Sequence, residues 1–176
     1  QNIVEVLHAH KPTHLIHTAA MTNVDQCELH PEACDLVNRQ SVQMLANYCQ
    51  LHQIHFQLLS TDFVFDGLAG PYAEEDQPNP LSVYARSKVE AEKILSKAAT
   101  KGLVIGANPR LFAFFGPGLV MNEHFAIGNF LNDALNKKEI ALNGSPLTTR
   151  SYLYPTDLVT WILNILMNPV NKILHV

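Results

Sequence analysis

Tyr84-Ala85-Arg86-Ser87-Lys88 places a phenol and an ammonium four residues apart at the start of an expected helix. At that spacing both side chains lie on one helix face. A phenol ordinarily titrates at about pH 10 and exchanges protons poorly near neutrality. A neighbouring ammonium favours the phenolate and brings that pKa toward the working range. Tyr and Lys also meet at this spacing by chance, so the pair alone defines no site. Ser60-Thr61-Asp62, upstream at the end of an expected strand, supplies a third group. A Thr hydroxyl can hold a carbonyl or alcohol oxygen while Tyr84 gives or takes its proton. By itself Thr61 reads as the cap of a turn. The ordered series of strand-end hydroxyl, long loop and helical Tyr/Lys pair makes the signal specific.

The hydrophobic pattern supplies the elements that must hold these groups. Thr13 to Ala20 reads as a buried strand, Pro31 to Gln53 as a helix and Ile54 to Ser60 as a second strand. Pro31 suits a first helical turn, where its missing N–H costs nothing. Phe65 to Leu81 carries two Gly and three Pro among acidic residues and reads as a loop. It exceeds the usual connection of about 4–6 residues, which favours a binding or lid role. A helix from about Ser82 to Ala98 and a strand from Leu103 to Phe115 follow. Strand–helix alternation with crossovers of this length predicts an open α/β fold with a parallel sheet. In such sheets ligands bind beyond the carboxyl ends of the strands, where Thr61 is expected. Further on, a helix is expected over Phe125 to Asn136 and short strands over Glu139 to Leu142 and Ser151 to Tyr154. An apolar helix over Asp157 to Met167 and a strand over Ile173 to Val176 complete the reading.

Composition narrows the function classes. The 176 residues carry 12 Lys plus Arg against 16 Asp plus Glu, a formal charge of −4. With no basic stripe to displace counterions from phosphates, no nucleic-acid partner is expected. No apolar run reaches the roughly 18 residues of a membrane span, so no membrane partner is expected. Cys27, Cys34 and Cys49 form no CxxC pair, and reduced thiols in a cytoplasmic setting are expected. His8, His10, His14 and His17 show no metal-ligand pattern, and no metal site is expected.

Several motifs, taken in order, resemble the dTDP-4-dehydrorhamnose reductase branch of the extended short-chain dehydrogenases/reductases. They are His17-Thr18-Ala19-Ala20-Met21-Thr22-Asn23-Val24-Asp25-Gln26-Cys27-Glu28, Val37-Asn38, and Ser60-Thr61-Asp62-Phe63-Val64-Phe65-Asp66-Gly67. Gly70-Pro71-Tyr72, Pro78-Asn79-Pro80-Leu81 and Tyr84-Ala85-Arg86-Ser87-Lys88 continue the series. The resemblance implies a Rossmann-like doubly wound sheet, NAD or NADP as cofactor, and a nucleotide-diphosphate sugar as substrate. It implies a catalytic triad of Thr61, Tyr84 and Lys88. Tyr84 would exchange a proton with the sugar C4 oxygen, and Lys88 would lower its pKa and bond the nicotinamide ribose. Thr18, Ala19 and Ala20 would line the cofactor. Asp62 and Phe63 are expected to border the substrate. The related 4,6-dehydratases place an Asp-Glu pair after the Thr, and Phe63 cannot transfer a proton, so reduction of a 4-keto-6-deoxysugar is favoured. A homodimer is expected as the assembly.

From Arg110 onward the text is also similar to nucleotide-sugar epimerases and dehydratases, with the change near Gly102 to Pro109. That resemblance implies that Asn129 and Arg150 hold the nucleotide and its diphosphate; a guanidinium fork suits phosphate oxygens. His124 is expected to be a helix-start residue and not a catalyst. No GxGxxG or GxxGxxG turn occurs in the sequence. We therefore expect an internal piece of a longer enzyme, inactive alone. Residues 1–118 would be a partial cofactor-binding domain, and 119–176 a partial substrate-binding region. Two alternatives stand beside reduction: a nucleotide-sugar epimerase or dehydratase, and a non-catalytic regulatory subunit on the same fold.

Overall fold

A computed structural model describes residues 2–119, 121, 126–142, 144–145, 147–168 and 170–176. They divide into two compact units: the chain up to Leu111 together with Ile162–Val176, and Phe112–Trp161.

The first unit begins with α1 (Ile3–His10), whose first turn is capped by Asn2 accepting from Val4 N at 3.0 Å. Lys11 closes it in the left-handed region. Strand β1 (His14–His17) follows, and then α2 (Val24–Leu29), capped by Asn23 accepting from Gln26 N at 2.9 Å. Pro31 opens α3 (Pro31–Asp35), which runs through a π-helical turn (Leu36–Gln40) into α4 (Ser41–His52). This one long helical passage matches the expectation for Pro31 to Gln53. Its inward face carries Val42, Leu45, Ala46 and Cys49.

β2 (His55–Leu58) pairs parallel to β1 in the register His14↔His55 to His17↔Leu58. After a break at Leu59, β3 (Ser60–Thr61) resumes, followed by a single 3₁₀ turn at Asp62–Val64. Both β2 and β3 lie along β4 (Gly106–Leu111), paired Phe56↔Gly106 and Ser60↔Arg110. β7 (Ile173–His175) pairs with β4, again in parallel. Every pairing in this sheet is parallel, as the strand–helix alternation predicts. Helix α5 (Val83–Thr100) links β3 to β4. Its Ala91, Leu95 and Ala99 join Ile54, Phe56, Leu58 and the α4 residues in one apolar core.

The second unit holds β5 (Ala113–Phe114), α6 (Ala126–Leu135) and β6 (Tyr152–Leu153), with β5 and β6 parallel. α7 (Pro155–Met167) starts in this unit and ends in the first. The strand expected over Glu139 to Leu142 is not formed. Lys137 ends the preceding helix in the left-handed region, and Ile140 and Leu142 are both exposed, so the alternation buries no face. His124 and Phe125 lie outside the described residues. On α7 only Ile165 is buried, while Val159, Trp161, Leu163 and Met167 are exposed.

Candidate active site at the β3–α5 junction

Three local devices place the α5 face that carries Tyr84 and Lys88. Ser82 caps the helix by accepting from Ala85 N at 3.1 Å. The Glu28 carboxylate, arriving from α2, accepts from Val83 N at 2.6 Å. An acidic group at a helix N-terminus meets unpaired amides and the positive end of the dipole. The third device is Asn38, buried in the π-helical turn. It accepts from Met21 N at 2.8 Å, and its Nδ2 donates to Met21 O at 3.0 Å and to Ser87 Oγ at 2.9 Å. Ser87 Oγ in turn donates to Tyr84 O at 2.7 Å. The loop after β1 is thereby tied to the helix that carries the phenol.

Thr61, Tyr84 and Lys88 converge at the carboxyl end of the sheet. Thr61 caps the 3₁₀ turn, accepting from Phe63 N at 3.2 Å, and its hydroxyl lies 3.2 Å from Asp62 Oδ1. The same hydroxyl is near enough to the Tyr84 phenol to pull its pKa down. Phe63 is 52% exposed and meets the Tyr84 ring edge-on, with centroids 6.0 Å apart. Its apolar face therefore stands at the mouth of the site, beside the phenol.

Lys88 is 5% exposed and donates to the Leu59 carbonyl at 2.6 Å, across the break between β2 and β3. Burial pulls its pKa down to about 8, and the Glu92 carboxylate opposes that pull. His17, at the end of β1, is held below its ordinary value by burial and by the Lys88 charge. The Tyr84 pKa moves up: burial is the largest cause, the Thr61 hydroxyl pulls it back, and Asp62, Cys27 and Cys34 push it further up. The direction expected from an adjacent ammonium is thus outweighed, because the phenol is desolvated and Lys88 is directed at a backbone carbonyl.

Thr18, Ala19 and Ala20 follow β1 directly, with Thr18 and Ala19 exposed. Side chains this small leave the strand-end backbone open. For a nicotinamide cofactor the fit covers its inner part: a buried ammonium, a phenol and an uncovered strand end share this edge of the sheet. The glycine-rich turn that would take a diphosphate is not among these 176 residues. Asn129, half-buried in α6, and exposed Arg150, just before β6, belong to the second unit. Among the described residues, no group of three or more His, Cys, Asp or Glu is placed to hold a metal ion. No helix among them is long and apolar enough to cross a membrane.

Sequence reasoning did not single out Glu92, and it gave Glu28, Asn38 and His17 no site role, quoting them only within the resembling motifs and His17 among the histidines without a metal-ligand pattern. The available signals were an Asn in mid-helix and an acidic residue one turn beyond Lys88.

A parallel α/β sheet with a Thr, a Tyr and a Lys at its carboxyl edge is the framework of a short-chain dehydrogenase/reductase. Residues 1–122 match the RmlD substrate binding domain, and the chain belongs to that family. The dTDP-4-dehydrorhamnose reductase of Aggregatibacter actinomycetemcomitans is 38% identical over 104 residues, 58% of this chain and 35% of that protein. The methionine adenosyltransferase 2 subunit beta of Bos taurus is 36% identical over 88 residues, 50% of this chain and 26% of that protein. Among solved structures, the UDP-N-acetylglucosamine 4-epimerase from Methanobrevibacter ruminantium M1 superposes with a TM-score of 0.86 at 20% identity. That superposition covers 100% of this chain and 57% of the epimerase, and it establishes the shared fold. The chain spans about a third of the length of the curated reductases it matches.

Proposed function

We propose that the protein is an NAD- or NADP-dependent oxidoreductase that reduces a nucleotide-linked 4-keto-6-deoxysugar, as a dTDP-4-dehydrorhamnose reductase does. The observation that carries this reading is the convergence of Thr61, Tyr84 and Lys88 beside the exposed ring of Phe63. Thr18, Ala19, Ala20, Tyr84 and Lys88 would hold the cofactor, whose chemistry is hydride transfer. Thr61 orients the C4 oxygen, and Tyr84 delivers the proton to it. A phenol raised by burial is fully protonated at neutral pH, the form a proton donor needs. Lys88 supplies positive charge that stabilises the phenolate left behind. Asp62 and Phe63 border the sugar, and Phe63 leaves no acid or base in the position a dehydratase uses. Asn129 and Arg150 take the nucleotide diphosphate. We assign the protein to the cytoplasm and expect it to act as a homodimer.

The complete protein should oxidise NADPH or NADH in proportion to a dTDP-4-keto-6-deoxysugar, and Tyr84→Phe should lower the rate by about 10²–10⁴-fold, the usual contribution of a positioned acid. Undiminished turnover in that variant rejects the proposal.

A second reading, a non-catalytic subunit, is favoured by the similarity to methionine adenosyltransferase 2 subunit beta, nearly as high as that to the reductase. Absence of ketosugar turnover together with co-purification of a partner enzyme would select it.

A further inference from the structure

Beneath the Thr61/Tyr84/Lys88 group lies a second, fully buried polar cluster that the proposed chemistry does not use. Glu92 stands one turn beyond Lys88 on α5 and is 3% exposed. Its carboxylate accepts from Arg110 Nε at 3.0 Å and Arg110 Nη2 at 2.8 Å, and from the hydroxyl of Ser60. Ser60 is the residue immediately before Thr61. Arg110, on β4, is 1% exposed; its Nη1 reaches the Glu74 carbonyl at 3.4 Å, and its guanidinium sits 5.0 Å from the Phe65 ring centroid. One ion pair thus joins α5, β3, β4 and the Phe65–Leu81 loop. Burying a charge pair of this kind gives little net stability over an apolar replacement. Its placement one turn below the catalytic lysine calls for another account.

We propose that Glu92 is a positioning residue for Lys88 and Thr61, clamped by Arg110. Its carboxylate fixes the Ser60–Thr61 strand end through the Ser60 hydroxyl and keeps the neighbouring lysine an ammonium. This inference rests on the reading of Lys88 as a catalytic group. The charged and titratable groups around Lys88 are Glu92 and Tyr84 on its own helix and His17 from β1. Arg110, from β4, is engaged by Glu92. Glu92 is the anion in this set, and it counters the desolvation that draws the lysine down to about 8.

The test is a ¹³C NMR titration of ¹³Cε-labelled lysine in the complete protein, with Lys88 assigned by Lys88→Met, beside the pH dependence of ketosugar reduction. In Glu92→Gln the Lys88 resonance should titrate lower, by up to about one pH unit, the effect of removing an opposite charge one helical turn away. The alkaline limb of the rate profile should move by the same amount, with kcat falling more than KM rises. Glu92→Asp should restore the Lys88 titration in part. Because Glu92→Gln leaves Arg110 buried without its partner, the double variant Glu92→Gln/Arg110→Met serves as a folding control and should keep the lowered titration. An unchanged Lys88 titration in the folded double variant overturns the proposal. The NMR arm needs no turnover, so a missing ketosugar activity would count against the proposed function alone.

Discussion

Lys88 donates its ammonium to the carbonyl of Leu59 at 2.6 Å, closing the gap where β2 ends and β3 has not begun. The unpaired strand carbonyl gains a charged donor, and the lysine gains a fixed direction. Charge-assisted bonds of this kind are shorter and stronger than neutral ones. Desolvation nevertheless dominates the lysine, and its pKa lies near 8.

That depression makes stability depend on pH in a defined window. Between pH 8 and about 10.5 the unfolded chain binds more protons at Lys88 than the folded one, so stability rises with pH there. Below pH 8 both states are protonated, and the folded state carries the full cost of the buried charge. The shift corresponds to about 3 kcal/mol. Urea unfolding of the wild type and of Lys88→Met at pH 7.5 and pH 10 should show the wild type gaining about 2–3 kcal/mol on the variant. A difference independent of pH would place the lysine's folded pKa at its ordinary value.

Asn38 should prove necessary to the fold. It bonds both Met21 backbone groups and donates to Ser87 Oγ; the Ala substitution takes the acceptor from Met21 N, leaves Met21 O with the Cys27 thiol at 3.4 Å, and leaves Ser87 Oγ donating to Tyr84 O. Leaving buried partners unpaired costs about 1–3 kcal/mol per group, and half-buried Met21 recovers part of that from water. Asn38→Ala should therefore lose about 1–3 kcal/mol by denaturant midpoint. Asn38→Asp should be worse, since it keeps the Met21 N bond but buries an unpaired carboxylate charge against the Met21 carbonyl oxygen.

The α/β class, the parallel sheet and the helices around Pro31 to Gln53 and Ser82 to Ala98 were legible because each buries a face with its own period. The strand over Ile54 to Ser60 was legible too, but not its interruption at Leu59, whose carbonyl is met by the Lys88 ammonium from α5. Thr61, Tyr84 and Lys88 could be picked out by residue type and order. Glu92 and Arg110 could not, because 18 residues and a strand–helix change separate them. Neither α1 nor α2 was anticipated: each is short, and its start is marked only by an Asn cap. The pattern Glu139 to Leu142 misled because alternation without a partner strand forms no ladder.

The Phe65–Leu81 loop should come loose in acid. Asp66 accepts from the Tyr72 hydroxyl, from Leu68 N at 2.9 Å and from Asn79 Nδ2 at 2.8 Å, and these bonds, the tyrosine first, hold its pKa near 2. A folded pKa below the unfolded value gives order that is complete above about pH 4 and is lost as pH falls through 2. Hydrogen exchange at the Leu68 amide, corrected for its intrinsic pH dependence, should accelerate over that interval. Asp66→Asn should remove the acid step, and persistence of the step would assign it elsewhere.

Gly106 sets how closely α5 can approach the sheet. A Cβ added there would fall 2.6 Å from Leu95 Cδ1, 3.0 Å from Leu95 Cγ and 3.2 Å from the Phe56 carbonyl oxygen. Leu95 is fully buried in the core between α4, α5 and the strands, so it has no free volume to turn into, and the carbonyl oxygen belongs to the paired strand β2. Overpacking of this kind costs about 1–3 kcal/mol. Gly106→Ala should therefore destabilise by about that amount, although its backbone needs no positive φ and alanine would otherwise favour the folded state by reducing unfolded-chain entropy. Because α5 carries Tyr84 and Lys88, the displaced helix should also lower ketosugar turnover. Shortening the neighbour in Gly106→Ala/Leu95→Val removes the closest contact, and the double variant should unfold at a higher urea midpoint than the sum of the two single changes predicts. Strict additivity of the two changes would mean that Leu95 is not what the glycine makes room for.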